Sequence, residues 1–370
     1  MSRYLQSYHV SLHTIGPVFI GNGREIGKKE YVWLARNQVG MIDIEKFYTW
    51  IAHKGKRNQY EDFLLGNDRS DLMSWLKRQD ININNIVPFL KYTLECGDAV
   101  LDKGAGKLQV MECIKDAYGN PYIPGSSVKG MFRTILLAKN ICSNSDNYRA
   151  NKDKVEDALS KGGRRNLLLS NEVKGIEART FCRLNRETTK PQDAVNDILQ
   201  GLIISDSKPL ACKDLVLCQK VDVHTDHTER GLPILRECIK PDIDIEFDLM
   251  IDAKVCKLTP QDIEMAIHIF CNQYKMNFAS AFRREMPQEN FVLLGGGCGY
   301  VSKTITYPLY GKDKGIQMTQ QIFEKTNVPR VHKHDKDQEY GASPHILKCT
   351  KYHGELLQMG LCKYQGATAY

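Results

Sequence analysis

The order of apolar and polar positions near the start of the sequence predicts strands followed by helices. Residues 8–20 partly alternate and end at the glycine-asparagine-glycine turn of Gly21–Gly23, a pattern typical of a strand and a tight connection. The segment EYVWLARNQ predicts a second strand. Asp43 lies just before IEKFYTWI, where a short acidic side chain favours the start of a helix. Helical periodicity with polar breaks follows, so we expect a helical insertion over about residues 43–90.

Apolar positions in the second half predict further strands and one long helix. GLIISD at 201–206 and LVLCQKVDVH at 215–224 predict two strands. In residues 242–252 large apolar residues alternate with mostly acidic ones, so this strand has one buried and one solvated face. The sequence TPQD at 259–262 combines a cap, a first-turn proline and a reciprocal acceptor, as a helix start does. The apolar stripe of this helix, which we interpret as core packing, is Ile263, Ile267, Phe270, Tyr274 and Phe278.

Strands and helices mixed in this way predict an α+β protein with antiparallel sheets rather than a repeat array. The polar, charged stretch at 144–166 is typical of a solvated helix and linker, so a boundary near residue 165 is expected. It divides the chain into an N-terminal module at 1–165 and a C-terminal module at 166–370. Residues 329–343 are again polar and charged, and they are typical of a mobile loop.

The composition is that of a globular protein, with 370 residues of which 42% are hydrophobic and 26% are charged. No apolar run approaches a membrane span and no export signal opens the sequence, so we expect a cytoplasmic protein without membrane contact. The net charge of +7 permits a polyanionic partner but does not demonstrate one.

The cysteine and histidine patterns favour neither disulfides nor a metal. Twelve cysteines are scattered with no CxxC pair, so we expect reduced, buried thiols. The pairs His224-x-x-His227 and His332-x-His334 have no cysteine pair nearby and lie among turn-forming or charged residues. We interpret them as solvated loop histidines, and we expect neither a bound metal nor a cofactor.

The segment YIPGSSVKGMFRTILLAKNI, residues 122–141, predicts a helix that begins close to a ligand. A short extended stretch ends at Pro124, and Ser126 or Ser127 can cap the helix. Gly125 lets the backbone approach a ligand closely, and the helix start offers unpaired N–H groups and positive potential. The apolar positions that face inward are Val128, Phe132, Ile135 and Leu136.

Two cations follow on this helix. Lys129 and Arg133 are four residues apart, so they share one face within the first two turns. Hydroxyls, unpaired amides and two cations at one helix end suit a phosphate backbone. A capped helix with two solvated cations explains the same spacing, and the pattern alone leaves both interpretations open.

The segment FVLLGGGCGYVSKT, residues 291–304, is the second candidate for ligand contact. An apolar run enters three consecutive glycines, Gly295–Gly297, and Gly299 and Lys303 follow. Ordering adjacent glycines costs conformational entropy, so they are expected where the main chain lies flat against another group. A nest of backbone amides around an anion is one such use. A sharp bend or close packing is the alternative.

Neither glycine segment is a nucleotide-binding P-loop. Met131 follows Gly130 where that motif requires lysine, and Ser302 replaces the last glycine before Lys303. The sequence after Lys303, ITYPLYG, is β-rich and contains Pro308, whereas a P-loop must open a helix. The sequence therefore argues against an ATPase.

The first strand with its GNG turn, IPGSSVKGMFRTIL, GLIISD and the glycine-rich loop together resemble the repeat-associated (RAMP) proteins of CRISPR–Cas systems. Within that superfamily, YIPGSSVKGMFR, LLGGGCGYVSKT and the tail PHILKCTKYHGELLQMGLCKY are similar to the fifth Csm subunit of type III-A effectors. The resemblance covers most of the chain. It implies ferredoxin-like (RRM-related) modules with antiparallel sheets and helical insertions. It also implies a non-catalytic subunit that binds guide RNA (crRNA) near its 3′ end and supports crRNA maturation and assembly.

The resemblance implies partners and contact residues as well. The partners are crRNA and the other Csm subunits, both backbone and small, with target RNA and a host trimming nuclease as further candidates. Lys303 is added to the contacts from its charge and position, and alanine at Lys129 or Arg133 is expected to weaken RNA binding uniformly across sequences. The matching positions are Gly125, Ser126, Ser127, Lys129, Gly130 and Arg133 in the helical segment and Gly295, Gly296, Gly297 and Gly299 in the loop.

The alternative function is a repeat-associated endoribonuclease that cuts crRNA precursors by metal-independent acid–base chemistry. Such a site needs a general base near a cation, and His13 with Lys28 or Lys129 could supply both. We prefer to interpret His13 as a strand histidine beside the core. The target-cleaving Csm subunit uses an aspartate after its first strand. Here GNGREIGKKEYVW contains Glu25 and Glu30 but no aspartate, which argues against RNA slicing.

Overall fold

The computed structural model describes residues 4–66, 70–101, 109–186 and 190–370. None of the helices within those ranges combines the length and the apolar character of a membrane span. The strands are β1 (Leu5–Thr14), β2 (Gly21–Ile26), β3 (Tyr31–Ala35), β4 (Gln38–Ile42), β5 (Leu90–Cys96), β6 (Gln109–Cys113), β7 (Leu202–Ile204), β8 (Leu215–His224), β9 (Glu229–Ile239), β10 (Asp244–Asp252), β11 (Phe291–Leu293), β12 (Ile346–Tyr352), β13 (Glu355–Gln358) and β14 (Leu361–Ala369). The helices are α1 (Ile44–His53), α2 (Arg57–Leu65), α3 (Leu72–Arg78), α4 (Asp98–Leu101), α5 (Gly125–Ser143), α6 (Arg149–Lys161), α7 (Ser170–Phe181), α8 (Pro260–Asn277), α9 (Thr306–Lys325) and α10 (Asp337–Tyr340).

One sheet has five strands in the order β11–β14–β1–β10–β7, and every neighbouring pair is antiparallel. At its centre Val10 lies opposite Phe247 and Leu12 lies opposite Ile245, and all four side chains are buried. Apart from the short edge strand β11, the strands of this sheet and the two helices α5 and α8 follow the chain order β1–α5–β7–β10–α8–β14. This is the β-α-β-β-α-β order of ferredoxin-like proteins, so the predicted α+β class is confirmed.

Helix α8 begins and packs as predicted. The Thr259 hydroxyl accepts a hydrogen bond from the Asp262 amide at 3.2 Å, and the Asp262 carboxylate accepts one from the Thr259 amide at 3.0 Å. This reciprocal pair satisfies donors that a helix start leaves free. The predicted apolar stripe is buried and faces α5 and the five-stranded sheet.

The second sheet has nine strands and is mixed. Its main path runs β2–β6–β9–β8–β5–β4–β3, and β12 and β13 extend it from β8. The pairs β5–β8 and β6–β9 are parallel, and the others are antiparallel. Antiparallel sheets were expected throughout. The two parallel pairs arise because long connections separate their strands along the chain, as parallel pairing requires.

The first strand and its turn differ from the prediction. β1 ends at Thr14 because Gly16 and Pro17 follow, and proline cannot donate to a strand ladder. The segment Gly21–Gly23 is not a tight turn. It begins β2, which pairs with β6 through an irregular register. Between β1 and β2 the chain crosses to the second sheet, where Val18 pairs with β9.

Helices α1, α2 and α3 occupy the range predicted for the helical insertion. The Asp43 carboxylate accepts a hydrogen bond from the Lys46 amide at 3.2 Å, so the predicted cap of α1 is confirmed. The three helices bury an aromatic core in which Tyr60 packs edge-on against Phe47 and obliquely against Trp75. This core is separate from the larger one that the two sheets share.

The division predicted near residue 165 falls between α6 and α7, and it stays a prediction. The polar stretch at 144–166 contains α6, as expected of a solvated helix. In the structure each sheet combines strands from both sides of residue 165. β1 lies among strands of the second half, and β8 and β9 pair with β5 and β6.

Two sequence expectations after Lys303 are wrong. ITYPLYG is not β-rich but begins α9. Pro308 lies in the first turn of this helix, where the backbone amides have no acceptor within the helix, so a residue without an N–H is tolerated there. Residues 329–343, expected to be a loop, form short 3₁₀ turns and α10 around the fully buried Asp337. Ser302 still replaces the last glycine of a P-loop, so the sequence continues to argue against that motif.

Candidate nucleic-acid interface

The two glycine-containing segments meet at one cleft of about 360 Å³, which we call the glycine cleft. One wall is the start of α5, and the other is the loop after β11 with the start of β2. Gly21, the first glycine of the GNG segment, also lines this cleft. The lining residues are Ser126, Ser127, Gly130, Met131 and Thr134 on α5, and Ile20, Gly21, Leu293, Gly295, Gly296, Ser302 and Lys303 opposite.

The start of α5 is capped from a distant segment, which the sequence did not indicate. The helix begins at Gly125 without a serine cap, so that prediction is wrong. The Gly125 amide instead donates to the Asp206 carboxylate at 2.8 Å. A Cβ on Gly125 would lie 2.2 Å from the carbonyl oxygen of Ile204 and 2.6 Å from that of Ser205. Gly125 therefore allows close packing on β7, and its amide is not free for a ligand.

The exposed side of α5 forms the open wall of the glycine cleft. Ser126 and Gly130 are exposed, Ser127 is half-buried, and no atom lies within 4 Å of the place where a Cβ on Gly130 would be. Serine hydroxyls can both donate and accept hydrogen bonds. Lys303 supplies a cation from the opposite wall. The arrangement suits a phosphate–sugar backbone that passes along the helix start.

Lys129 and Arg133 do not line the glycine cleft. The Arg133 guanidinium lies 2.5 Å from the Asp197 carboxylate and 2.9 Å from that of Glu177, and it covers the ring of Phe181 at 4.5 Å. Burial lowers the pKa of Lys129, while Asp197 opposes that shift. The two cations share a face, as predicted, but that face packs towards α7 and its following segment. Their contact with RNA stays a prediction.

The glycine-rich loop packs closely against the chain between β1 and β2. Gly295 has a φ of +91°, and a Cβ there would lie 2.4 Å from the carbonyl oxygen of Phe19. The Gly296 amide donates to that same oxygen at 2.6 Å. Close packing, the alternative considered for this sequence, therefore accounts for the first two glycines, although both still line the cleft.

The later glycines of the loop lie away from the glycine cleft. A Cβ on Gly297 would lie 2.2 Å from Nη1 of Arg236, and one on Gly299 would lie 3.5 Å from Cγ of Lys348. The loop thus has the cleft on one side and two cations of the nine-stranded sheet on the other. The sequence offered no signal for Arg236 and Lys348, because they lie on strands that are far apart in the sequence and that only the tertiary fold brings to this loop.

The candidate general base of the alternative enzyme site lies beside two carboxylates. On β1, the His13 ring lies 2.9 Å from Asp244 through Nδ1 and 3.5 Å from Asp242 through Nε2. Both ring nitrogens therefore face groups that would repel a phosphate rather than stabilise its developing charge.

The cysteines agree with the expectation of reduced thiols. All twelve lie within the described ranges, and they are free. Burial raises the pKa of Cys298 and of Cys349 to about 12 in each case, so these thiols stay protonated and unreactive at neutral pH.

One histidine of the sequence pairs lies in a buried polar cluster. The carboxylate of Asp337 lies 3.1 Å from Nδ1 of His334 and 2.5 Å from Nδ1 of His345, and it accepts a hydrogen bond from the Ser343 hydroxyl. One ligand-type atom from each of Asp337, His334 and His345 lies within 4.8 Å of the others. Because these groups already satisfy one another by hydrogen bonds, the cluster is complete as a structural element. The absence of a metal stays a prediction.

The amino-acid sequence is similar to those of curated proteins named Csm5. Curated relatives called CRISPR system Cms protein Csm5 come from Mycobacterium tuberculosis, at 29% identity over 392 residues and 98% of each chain, and from Streptococcus thermophilus, at 29% identity over 324 residues and 82% of each chain. These relatives agree with the predicted resemblance to the fifth Csm subunit.

Solved structures share the fold. A chain of a Csm–crRNA–target RNA ternary complex from a type III-A CRISPR–Cas system superposes with a TM-score of 0.61 at 18% identity, over 97% of this chain and 100% of that one. Csm5 of T. onnurineus superposes with a TM-score of 0.58 at 17% identity, over 95% of this chain and 99% of that one.

The RAMP superfamily model matches residues 11–302, most of the chain. The predicted resemblance is therefore confirmed, and this chain belongs to the RAMP superfamily.

Proposed function

We propose that this chain is the crRNA-binding subunit near the 3′ end of the guide in a type III-A CRISPR effector. It supports crRNA maturation and assembly in antiviral defence and catalyses no reaction itself. Its partners are crRNA, the other Csm subunits and target RNA, with a host trimming nuclease recruited to the guide end. The cytoplasmic location expected from the sequence belongs to the same proposal.

The observation that carries the proposal is the glycine cleft. It joins Ser126, Ser127 and Gly130 on an exposed helix face to Lys303 across an open groove. Hydroxyls and a single cation along a groove recognise a phosphate–sugar backbone without reading bases. The relatives named Csm5 and the similarity to a chain of a crRNA-containing complex support the same function.

A catalytic role is not favoured by the geometry around its best candidate. His13 is paired with Asp242 and Asp244 rather than with a cation. We therefore expect a His13→Ala variant to leave guide lengths unchanged. Guides that remain unprocessed in that variant would favour the endoribonuclease alternative instead.

The direct test of the proposed function is to purify the effector with and without this chain and to sequence the associated RNA. Guides that persist but become longer or ragged at their 3′ ends are expected when the chain is missing. Guides of unchanged length and abundance would instead limit the chain to protein assembly.

A single substitution tests the glycine cleft. We expect Lys303→Ala to weaken binding of single-stranded RNA by about tenfold and to flatten the salt dependence of log K by about 0.7, the value for one lost phosphate contact. Filter binding over a salt series measures both. Lys154→Ala is the matched control, since it removes the same charge from the exposed face of α6. Equal affinities for the two variants would exclude the cleft as an RNA site.

A further inference from the structure

A second cavity, of about 670 Å³, opens beside β8, β9 and β12, and we call it the basic pocket. Four cationic side chains line it against two carboxylates. They are Lys220, Arg230, Lys333 and Lys348, against Asp222 and Asp226. Burial lowers the pKa of His224 and of His332 in its lining, which favours their neutral form, so the excess of positive charge comes from the lysines and the arginine. A cavity of this sign and size attracts anions.

Two of the lysines compete for a single carboxylate. Nζ of Lys348 lies 2.9 Å from Oδ1 of Asp222, and Nζ of Lys220 lies 3.7 Å from the same oxygen. All three side chains are largely buried, with exposed fractions of 19%, 16% and 9% in the order Lys348, Lys220, Asp222. Burial and the charge of Lys348 lower the pKa of Lys220 to about 8. The pair therefore carries one positive charge more than its carboxylate balances.

Arg236 on β9 places a third cation beside them. Its Nε and Nη1 are buried and have no hydrogen-bond partner within the described part of the chain. Its guanidinium covers the ring of Phe19 at 5.1 Å, and its charge also opposes the protonation of Lys220. Buried donors without an acceptor are costly, and the guanidinium adds positive charge beside the two lysines that no carboxylate balances.

The basic pocket adjoins the glycine-rich loop on the side away from the glycine cleft. Gly297 lies against Arg236, and Gly299 lies against the side chain of Lys348. A strand of RNA that contacts Lys303 in the cleft and crosses the loop would reach the pocket next. The missing side chain of Gly297 makes room for the Arg236 guanidinium, since a Cβ there would lie 2.2 Å from Nη1.

The far wall of the pocket is held rigidly. His345 lines the pocket and is fixed through Nδ1 to the fully buried Asp337, which also binds His334 and Ser343. A preorganised wall lowers the entropy lost when a ligand is ordered.

We propose that the basic pocket binds a phosphate group of RNA that has crossed the glycine-rich loop from the glycine cleft. The inference rests on the proposed RNA-binding function and adds a second anchor to it. The phosphate is either an internal phosphodiester or a terminal 3′-phosphate, because the same cations recognise both.

The test is Lys220→Met in the purified full chain, with Lys154→Met as the charge-matched control. The variant removes the excess cation and leaves the Lys348–Asp222 ion pair in place. We expect about tenfold weaker binding of a single-stranded RNA and a salt slope lower by about 0.7. The control should bind as the parent does, and thermal unfolding of each variant checks that it is folded.

The outcomes separate the two proposals. If Lys303→Ala weakens binding but Lys220→Met does not, the basic pocket is no RNA site and the glycine cleft stands. If the parent chain binds no RNA in any form, alone or in the purified effector, both proposals fail.

Comparing an oligonucleotide that ends in a 3′-phosphate with one that ends in a 3′-hydroxyl shows whether the pocket binds a terminal or an internal phosphate. If Lys220→Met loses affinity only for the oligonucleotide with the 3′-phosphate, the pocket binds the RNA terminus. If it loses affinity equally for both oligonucleotides, the pocket binds an internal phosphodiester.

The pocket also predicts a pH dependence. Lys220 is a cation below its pKa of about 8 and neutral above it, so RNA affinity should fall as the pH rises through about 8. The charged groups that face it are Lys348, Asp222 and Arg236. Subtracting the pH profile of Lys220→Met from that of the parent isolates the contribution of Lys220. Identical profiles would show that this ammonium does not contact the bound RNA.

Discussion

Lys115→Met is expected to lower the free energy of unfolding by about 3–5 kcal/mol, because it leaves a buried carboxylate without its cation. Nζ of Lys115 lies 2.5 Å from the carboxylate of Glu237, which is fully buried. That carboxylate also accepts hydrogen bonds from the Tyr92 hydroxyl at 2.5 Å and from the Cys113 amide at 3.1 Å. Neutral donors alone do not balance a buried charge. Urea-induced unfolding, followed by circular dichroism, measures the loss.

A control variant and a rescue variant show whether the loss of stability comes from the buried charge. Lys91→Met removes a lysine from the exposed part of β5 and should change the free energy of unfolding by less than about 0.5 kcal/mol. Adding Glu237→Gln to Lys115→Met removes the uncompensated charge and should recover most of the lost stability. A Lys115→Met protein as stable as the parent would show that water reaches Glu237 and solvates it.

Gly125→Ala is expected to cost about 3 kcal/mol, since it combines a backbone clash with the loss of a helix cap. The new methyl group would lie 2.2 Å from the carbonyl oxygen of Ile204 and 2.6 Å from that of Ser205, neither of which is a flexible side chain. β7 must then move away from α5, and the hydrogen bond from the Gly125 amide to Asp206 lengthens. The midpoint of urea unfolding reports the change.

Gly130→Ala is the matched substitution on the same helix. Nothing lies within 4 Å of its new methyl group, so the variant should gain about 0.5–1 kcal/mol from the greater helix propensity of alanine. The methyl group does enter the glycine cleft, and RNA affinity should fall while stability rises. If affinity and stability both rise, RNA does not lie against this part of α5.

Features set by neighbouring residues were predictable from the sequence. The caps of α1 and α8 and the buried stripe of α8 depend on residues that lie close together in the sequence. The spacing of those residues along the chain therefore predicts these features directly. The alternation of β10 likewise showed which side of the strand is buried. The two glycine segments could be singled out for the same reason, since each carries a dense local pattern.

Features set by the tertiary fold were not predictable in this way. Asp206 caps α5 from another segment, so neither serine near the helix start serves as its cap, and both line the glycine cleft instead. Asp197 and Glu177 bind Arg133, which removes it from the glycine cleft. The basic pocket combines cations from three strands and from the segment after α9, and no spacing along the chain relates them.

The position of β14 has a consequence for synthesis. This strand, Leu361–Ala369, lies between β1 and β11, so β1 lacks its neighbour on that side until β14 has been synthesised. Until the ribosome has released residue 369, β1 and β11 each expose an unpaired edge, and such edges promote aggregation. A message truncated shortly before codon 361 would therefore yield an aggregating product rather than a shortened subunit. In a cell, the supply of competent subunits is thus limited to chains translated to the end of this strand.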